Sequence, residues 1–448
     1  MNTIELSKAV SEKIAEYGGK AYYVGGYVRD MIMCTTPQDI DIEVHGLCEE
    51  KLEDILTEFG EVIKYGANFG VFSIRSHNME FSIPRSIDKP NEPDPYIGEE
   101  KASLRRDFTC NSLMQNILTG EVLDFFHGTE DIYNKVIRAV SEDTFISDPL
   151  RVLRMARFAS VLDFTIDEHT LYFASQADLS AIAKERVFKE LSLTLTKSEK
   201  PGVFFEILRD CNQLGFRFPE LQKLIGTEQN PQFHPEGDVW NHTMLVLNAA
   251  AELRTGAKNP LAFMLSALMH DYGKPSTTEV IDGRIRSYGH DTKGVPIVSE
   301  AMKRLTDDKN LNKYVKNMVR HHMRPNMLAA QMSSQKAYNK LFDESVCPED
   351  LILLAKADHF GRTVFTDYTE TEHILKEKLS AFRELMSMPY VTGDDLISNG
   401  IVPNEYFSEI LAYAHKLRLS GIGKEAALKD TLAYSRKFNR QKKGSRGN

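Results

Sequence analysis

The sequence is poor in cysteine. Its five, Cys34, Cys48, Cys110, Cys211 and Cys347, are scattered, odd in number and never form a CxxC pair, which argues against both a disulfide framework and a thiolate zinc site. They read as reduced packing residues. No apolar run approaches the roughly 20 residues needed to span a bilayer, and the start, MNTIELSKAV, carries an early acid and no continuous apolar stretch. Neither a membrane segment nor a secretory leader is therefore expected, and the expected compartment is the cytoplasm. A basic surplus is also missing. With 55 Lys and Arg against 64 Asp and Glu the formal charge is −9, an awkward balance for a partner of polyanions, whose phosphates call for lysine and arginine. Local clusters must then supply such contacts. One is the series Arg151, Arg154 and Arg157; another is the tail RKFNRQKKGSRGN, which reads as a frayed, solvated end. No fixed-period repeat or low-complexity block stands out.

What is present is an ordinary folded composition, 42% hydrophobic and 27% charged over 448 residues, and at roughly 100–200 residues per domain that length points to three or four units. The first part mixes periods: an amphipathic start (IELSKAVSEKIAEYG), a short apolar strand (AYYVGG), then alternation in QDIDIEV and GVFSIRSHNMEFSIPRS. From about residue 138 helical patterns take over, in DPLRVLRMARFASVL, KERVFKELSLTL, KPGVFFEILRDC, NHTMLVLNAAAEL and PLAFMLSALMHD. The breaker-rich loop GTEQNPQFHPEGD marks an internal boundary.

Two elements in the first part suggest phosphate chemistry. YYVGGYVRD reads as strand, glycine turn and helix start, an arrangement that offers backbone N–H groups to a phosphate. Ten residues after Arg29 comes Asp39-Ile40-Asp41-Ile42-Glu43-Val44, where the two-residue period puts Asp39 and Asp41 on one strand face. Two adjacent carboxylates repel each other, so they either face water or share a divalent cation such as Mg²⁺.

With GGYVRD, QDIDIEV, RRDFTCNSL and SDPLRVLRMARF in that order, the chain resembles the class II nucleotidyltransferases, the family of bacterial CCA-adding enzymes and poly(A) polymerases. The resemblance implies that Asp39 and Asp41 hold Mg²⁺, that Gly26 and Arg29 lie against the incoming nucleotide, and that Arg106 contacts it while Asp107 and Asn111 shape the ribose site. Glu80, in MEFSIPR, is a further carboxylate candidate, although an exposed strand glutamate needs no special explanation. Arg105-Arg106-Asp107 is expected to open a helix, with Asn111 one turn beyond Asp107.

Asp148, Arg151, Arg154 and Arg157 recur every three residues and drift slowly around one side of a helix. Asp148 before Pro149 predicts an N-cap with proline at the first helical position. Cytosine and adenine each present an exocyclic amino donor beside a ring-nitrogen acceptor, so a carboxylate next to an arginine accepts both and mismatches uracil and guanine. The resembling family uses an EDxxR motif for this purpose. Here it reads Ser147-Asp148-Pro149-Leu150-Arg151, without the first acid but with both base-contacting positions. Arg154 and Arg157 match family positions that also meet the nucleotide.

In the second half, His270-Asp271 ends an apolar helix, and His242, His290, His321, His322 and Asp358 are further ligand candidates. The succession resembles the HD-superfamily phosphohydrolases, whose imidazoles and carboxylates suit divalent metals. The metal position implied is His242, His270, Asp271, His290, His321 and Asp358, taking Mg²⁺, Mn²⁺ or Ni²⁺. The substrate that the resemblance implies is a 2′,3′-cyclic phosphate or a phosphomonoester; a retained scaffold that holds tRNA is the alternative.

The expected fold is α+β, a nucleotidyltransferase-type mixed head over 1–138 followed by a helical neck over 139–225, an HD domain over 226–365 and a helical tail over 366–448. The expected activity is template-independent addition of CCA to tRNA from CTP and ATP. A poly(A) polymerase, a partial CC- or A-adding enzyme, and an HD phosphohydrolase with a non-catalytic RNA-binding head stay open as rivals. The sequence does not speak to oligomeric state.

Overall fold

The computed structural model describes residues 2–37, 39–65, 70–87, 89, 92–363 and 367–444, without the side chains of 65 and 438–444. Most of the basic tail's side chains, and the boundary expected at 365/366, therefore lie outside the described residues. The chain separates into two compact units, Met1–Pro219 and Glu220–Asn448, and the breaker-rich loop falls just inside the second.

The first unit opens with the helix Thr3–Glu16, capped by a reciprocal pair: Asn2 accepts from the Glu5 N–H and Glu5 accepts from the Asn2 N–H. Leu6, Val10 and Ile14 form its buried stripe, each stabilising the unit by about 1.5–3 kcal/mol. Seven strands follow: β1 (Lys20–Val24), β2 (Ile40–His45), β3 (Val62–Tyr65), β4 (Val71–Ile74), β5 (Met79–Ser82), β6 (Met114–Asn116) and β7 (Val122–Leu123). They form one sheet in the order β3-β4-β5-β2-β1-β6-β7. All pairs are antiparallel except β2 with β5, whose parallel register is reached through the intervening helix Glu49–Thr57 and the β3-β4 hairpin. That register sets Asp41 beside Glu80. The helices Leu150–Leu162, Lys184–Lys197 and Gly202–Asp210 complete the unit.

The second unit is almost wholly helical, and no helix among the described residues is long and apolar enough to cross a membrane. Pro260–Met269 is buried from Ala262 onward, with Asn259 capping its start and proline at the first position. A small strand pair, Glu279–Ile281 with Arg284–Arg286, interrupts the helices. The last segments hold a separate apolar cluster of Val391, Leu396, Ile410, Ala414 and Ala427. The architecture is thus the expected mixed head followed by mostly helical structure.

Candidate functional site

Gly25 makes the turn between β1 and the helix Gly26–Ile32 at φ 65°, a conformation that only glycine adopts cheaply, and the helix N-terminus faces the cleft it opens. The cleft holds about 660 Å³, within the roughly 300–1,000 Å³ of small-molecule sites. Gly26, Arg29, Asp39, Asp41, Arg106, Asp107, Asn111, Asp148, Arg151, Arg154 and Arg157 all line it. Segments far apart in sequence are therefore brought to one place.

The acidic wall is under electrostatic stress. Loss of solvation raises the Asp41 carboxyl above its ordinary value, against the pull of Arg106 and with added repulsion from Asp39. Glu80 is raised in the same way, by desolvation and then by Asp41 and Asp39. Asp39 just before β2, Asp41 on it and Glu80 beside Asp41 on β5 are three oxygen-donor carboxylates, two of them raised, of the kind a hard divalent cation neutralises. Asp39 is held on one side by the Asn78 amide at 2.9 Å.

The cationic wall is braced by buried partners, of which sequence reasoning anticipated Asp107 and Asn111 and missed Glu43 and Glu190. Glu43, buried two residues beyond Asp41 on β2, accepts from Arg106 Nη2 at 2.6 Å and contacts His45 Nε2 at 3.0 Å. Arg29 Nη1 donates to Asn111 Oδ1 at 2.8 Å, Asn111 Nδ2 donates to Asp107 Oδ1 at 3.0 Å, and Arg154 Nε donates to Asp107 Oδ2 at 2.8 Å. Arg157 Nε is held by buried Glu190 Oε2 at 2.5 Å. The Phe158 ring lies under three guanidiniums, those of Arg157 at 3.9 Å and of Arg29 and Arg154 at 5.3 Å each. Arg151 donates to the backbone carbonyls of Arg106 at 3.1 Å and Arg105 at 2.6 Å, and Asp148 accepts from Arg186 at 3.0 Å. Arg186, Lys189, Glu190, Leu193 and Lys197 all reach the cleft from the helix Lys184–Lys197. Their three- and four-residue spacing was the only signal of a shared face.

Two local expectations need correction. Arg105-Arg106-Asp107 does not open a helix: Glu99–Leu104 ends just before it, and Phe108 is extended, its N–H bonded to Asp107 Oδ1 at 2.8 Å. A short 3₁₀ turn, Thr109–Asn111, then returns Asn111 to Asp107. The arginine helix is counted from Leu150 rather than Pro149, with Pro149 at its cap, although Asp148 Oδ1 still accepts from the Leu150 N–H at 3.2 Å.

Burial alone would raise the Asp107 carboxyl, but Arg154 and the hydrogen bond from Asn111 overcome it and hold it below its ordinary value. A depressed folded value means stability that is present above the unfolded value of about 3.9 and is lost as pH falls through the folded one. Asp107→Asn is accordingly expected to cost about 1.5–3 kcal/mol at pH 7 by weakening the charge-assisted hydrogen bond to Arg154, which keeps Glu190 at 3.8 Å. Urea midpoints of both proteins taken from pH 7 to pH 3 check this, and the gap should narrow below about pH 4.

The second unit brings together a different set. His242 (helix Val239–Leu253), His270 and Asp271 (after Pro260–Met269), His290 (start of His290–Leu305), His322 (after Lys309–His321) and Asp358 (helix Pro348–Phe360) are all buried. Each of the four imidazoles is oriented through Nδ1: His270 to the Ala267 carbonyl at 2.8 Å, His290 to Ser287 at 2.7 Å, His322 to Val319 at 2.7 Å, and His242 to Glu236 Oε1 at 2.9 Å. Their Nε2 atoms are thereby turned inward.

Ligand atoms of His242, His270 and Asp271 lie within 4.8 Å of one another, as do those of Asp271, His290 and His322, so Asp271 is common to these two groups; a third group, His234, Glu236 and His242, shares His242 with the first. Asp358 Oδ1 is 3.0 Å from His242 Nε2. Asp271 Oδ2 is ion-paired with Lys274 Nζ at 2.6 Å and lies 3.1 Å from His270 Nε2, whereas the buried Asp271 Oδ1 has no hydrogen-bond partner. Buried lone pairs that converge without a hydrogen bond are what a metal position requires.

His321 lies outside these groups. It is turned toward Arg324, whose Nη1 is 3.2 Å from His321 Nδ1, and its neighbour His322 holds the inward place. Glu236, from the breaker-rich loop, was not anticipated. Gly273 is where the turn after Asp271 meets the helix bearing His290: a Cβ there would lie 2.0 Å from the His290 carbonyl oxygen and 2.8 Å from the Gly294 nitrogen.

Comparisons with known proteins divide along the same lines. Residues 21–138 match the poly A polymerase head domain and residues 239–363 match the HD domain. The multifunctional CCA protein of Actinobacillus pleuropneumoniae serotype 5b (strain L20) is 31% identical over 376 residues, covering 78% of this chain and 88% of that protein. Among solved structures, the Bacillus stearothermophilus CCA-adding enzyme in complex with CTP superposes with a TM-score of 0.70 at 18% identity, over 98% of this chain and 100% of that one. The Thermotoga maritima CCA-adding enzyme complexed with tRNA gives 0.64 at 20% identity, over 96% and 95%. The structural likeness shows a shared fold. The sequence identity across most of both chains goes further, and the chain belongs to the class II tRNA nucleotidyltransferase and poly(A) polymerase family, among its bacterial CCA proteins that carry an HD domain.

Proposed function

We propose that the chain adds C and A nucleotides from CTP and ATP to the 3′ end of tRNA, and that its second half is a metal-dependent phosphohydrolase. The first reading is carried by one observation: a single cleft gathers the glycine turn, the paired carboxylates and the Asp148–Arg151 segment. The working division is a catalytic head over 1–138, a base-selecting neck over 139–225, an HD domain over 226–365 and a tRNA-binding tail over 366–448.

In this reading the 3′-oxygen attacks the α-phosphate and pyrophosphate leaves. Asp39 and Asp41, with Glu80 beside Asp41, would hold Mg²⁺, which when bound would lower the pKa of the attacking hydroxyl and offset charge on the leaving group. The Gly25-Gly26 turn receives the triphosphate at a helix N-terminus, and Arg29 and Arg106 are held at the cleft by Asn111 and Glu43. Arg151 spends donors on two backbone carbonyls and keeps others for a base. Asp148 accepts from the base's amino group once it exchanges Arg186 for it. Arg151 is thus positioned before the substrate arrives, and Asp148 is freed for the base when Arg186 is released.

The test is sequencing of the 3′ ends formed on tRNA lacking its terminal residues, with CTP and ATP supplied singly and together. The expected product ends in CCA and stops. Long A tracts on any RNA would instead establish a poly(A) polymerase.

The hydrolase reading rests on the convergent lone pairs of His270 and Asp271. His242, His270, Asp271, His290, His322 and Asp358 would hold a divalent ion, Mg²⁺, Mn²⁺ or Ni²⁺, which when bound would supply Lewis acidity toward a 2′,3′-cyclic phosphate or phosphomonoester.

A further inference from the structure

Beside the cleft of the paired carboxylates opens a second one of about 800 Å³, and Arg105, Asp148, Arg151 and Arg186 line both. The helix Glu142–Ser147 forms one wall of it through Asp143, Thr144 and Ser147. Its charge is uneven. Arg85, Arg105, Arg151 and Arg186 face two carboxylates, Asp143 and Asp148. Burial, and then the nearness of Arg85, lower the Arg105 guanidinium below its ordinary value, the mark of cations gathered with too little negative charge among them. A cavity of this kind attracts an anion.

Arg186 is the cation best able to move. Arg151 is anchored on two backbone carbonyls and Arg105 on that of Ser86, whereas Arg186 is bonded to Asp148, its Nη2 lying 3.0 and 3.3 Å from the two carboxylate oxygens. Both side chains reach water, at 52% and 37% exposure, and an ion pair so placed adds little stability and reopens readily. Val187, Leu191 and Leu195 fix the helix beneath it in the core, so the guanidinium swings on its stem while the backbone stays. Asp148 Oδ1 already accepts from the Leu150 N–H and Arg186 spans both oxygens, so a base that uses this carboxylate displaces the arginine. The amino group of cytosine or adenine can do so; the carbonyl that uracil presents there cannot. The displaced cation then lacks its carboxylate and faces the second cleft, and the polyanion that must lie beside the reacting nucleotide is the RNA.

Given nucleotide addition to tRNA, on which this rests, we infer that Arg186 couples the choice of base to the grip on RNA: a base with an amino group takes Asp148, and the released guanidinium turns into the second cleft to pair with the last phosphodiester of the RNA being extended. Linkage makes the effect reciprocal. A nucleotide that tightens RNA is itself held tighter by RNA, by the same factor.

The test uses the full chain, a fluorescent tRNA lacking its terminal CCA, and the α,β-methylene analogues of CTP and UTP, which bind without reacting. The CTP analogue should lower the Kd for tRNA about tenfold and the UTP analogue should leave it unchanged. In Arg186→Ala this tightening should vanish, while the CTP analogue alone binds at least as well as to the wild type, because its base no longer has to displace a guanidinium; an arginine that merely holds Asp148 in place predicts weaker binding instead. Arg186→Lys, which keeps the cation, should restore part of the tightening. A tRNA whose last phosphodiester is replaced by an uncharged methylphosphonate should lose it in the wild type and lose nothing more in Arg186→Ala. Tightening that persists in Arg186→Ala, that is equal for the two analogues, or that is absent from the wild type would overturn the coupling. Incorporation of CTP and ATP into the same tRNA, measured beside it, keeps the two readings apart. Absent incorporation would overturn nucleotide addition, with the coupling still decided by the ratios of Kd; normal incorporation without coupling would overturn the part given to Arg186 alone.

Discussion

Asp39→Ala and Asp41→Ala are each expected to reduce nucleotide incorporation by about a thousandfold or more, since a catalytic metal supplies several kcal/mol of charge stabilisation and each tenfold in rate is about 1.4 kcal/mol. Folding should survive. Both side chains are exposed, and Asp41 is strained by desolvation and by its neighbour Asp39, so its removal relieves repulsion as it abolishes function. Incorporation of labelled CTP and ATP into truncated tRNA, read beside the urea midpoint, separates the two effects. Incorporation that persists in both variants would remove the head from the chemistry and leave it an RNA-binding element. Hydrolysis by the second unit should be untouched, because its ligands lie far along the chain in a unit of their own.

The second large effect is expected at Asp271. As the residue shared by the His242–His270 and His290–His322 groups, it should be needed for metal at either of those positions. Asp271→Asn is the variant of choice, since its amide oxygen still offers Lys274 an acceptor beside Gln229, which alanine would not. Metal content per chain after dialysis should fall to background, beyond the roughly ten- to hundredfold that loss of an outer hydrogen bond costs, and hydrolysis should disappear with it while nucleotide addition continues. His322→Ala should behave like Asp271→Asn, whereas His321→Ala should keep its metal. Full metal content in the Asp271 variant would mean that the convergent lone pairs have another purpose.

Much of this could be read from periodicity. The alternation in IDIEVH and the apolar stripe of Thr3–Glu16 follow from the sequence alone. What escaped was whatever depended on a partner from a distant segment. Glu43 looks like one more strand polar residue until Arg106 arrives from 63 residues away. Arg186 and Lys189 resemble a solvated helix face until the cleft closes against them. The choice between His321 and His322 was partly legible: 322 lies four residues beyond buried Met318 and seven beyond buried Val315, on the same stripe, whereas 321 is turned about 100° away. The misplaced helix at Arg105 has a different cause. Asp107 caps its neighbour's N–H locally, and short polar side chains of that kind compete with helix formation.

Gly273 offers no donor atom, yet the spacing between the two ligand groups depends on what it lacks. A single added methyl would push the His290 segment outward, and the imidazole would retreat from Asp271 with every nominal ligand still in the sequence. Counting histidines and aspartates therefore cannot tell a working centre of this kind from a dead one; the tolerance of one backbone crossing, set by a hydrogen atom in place of a side chain, decides it.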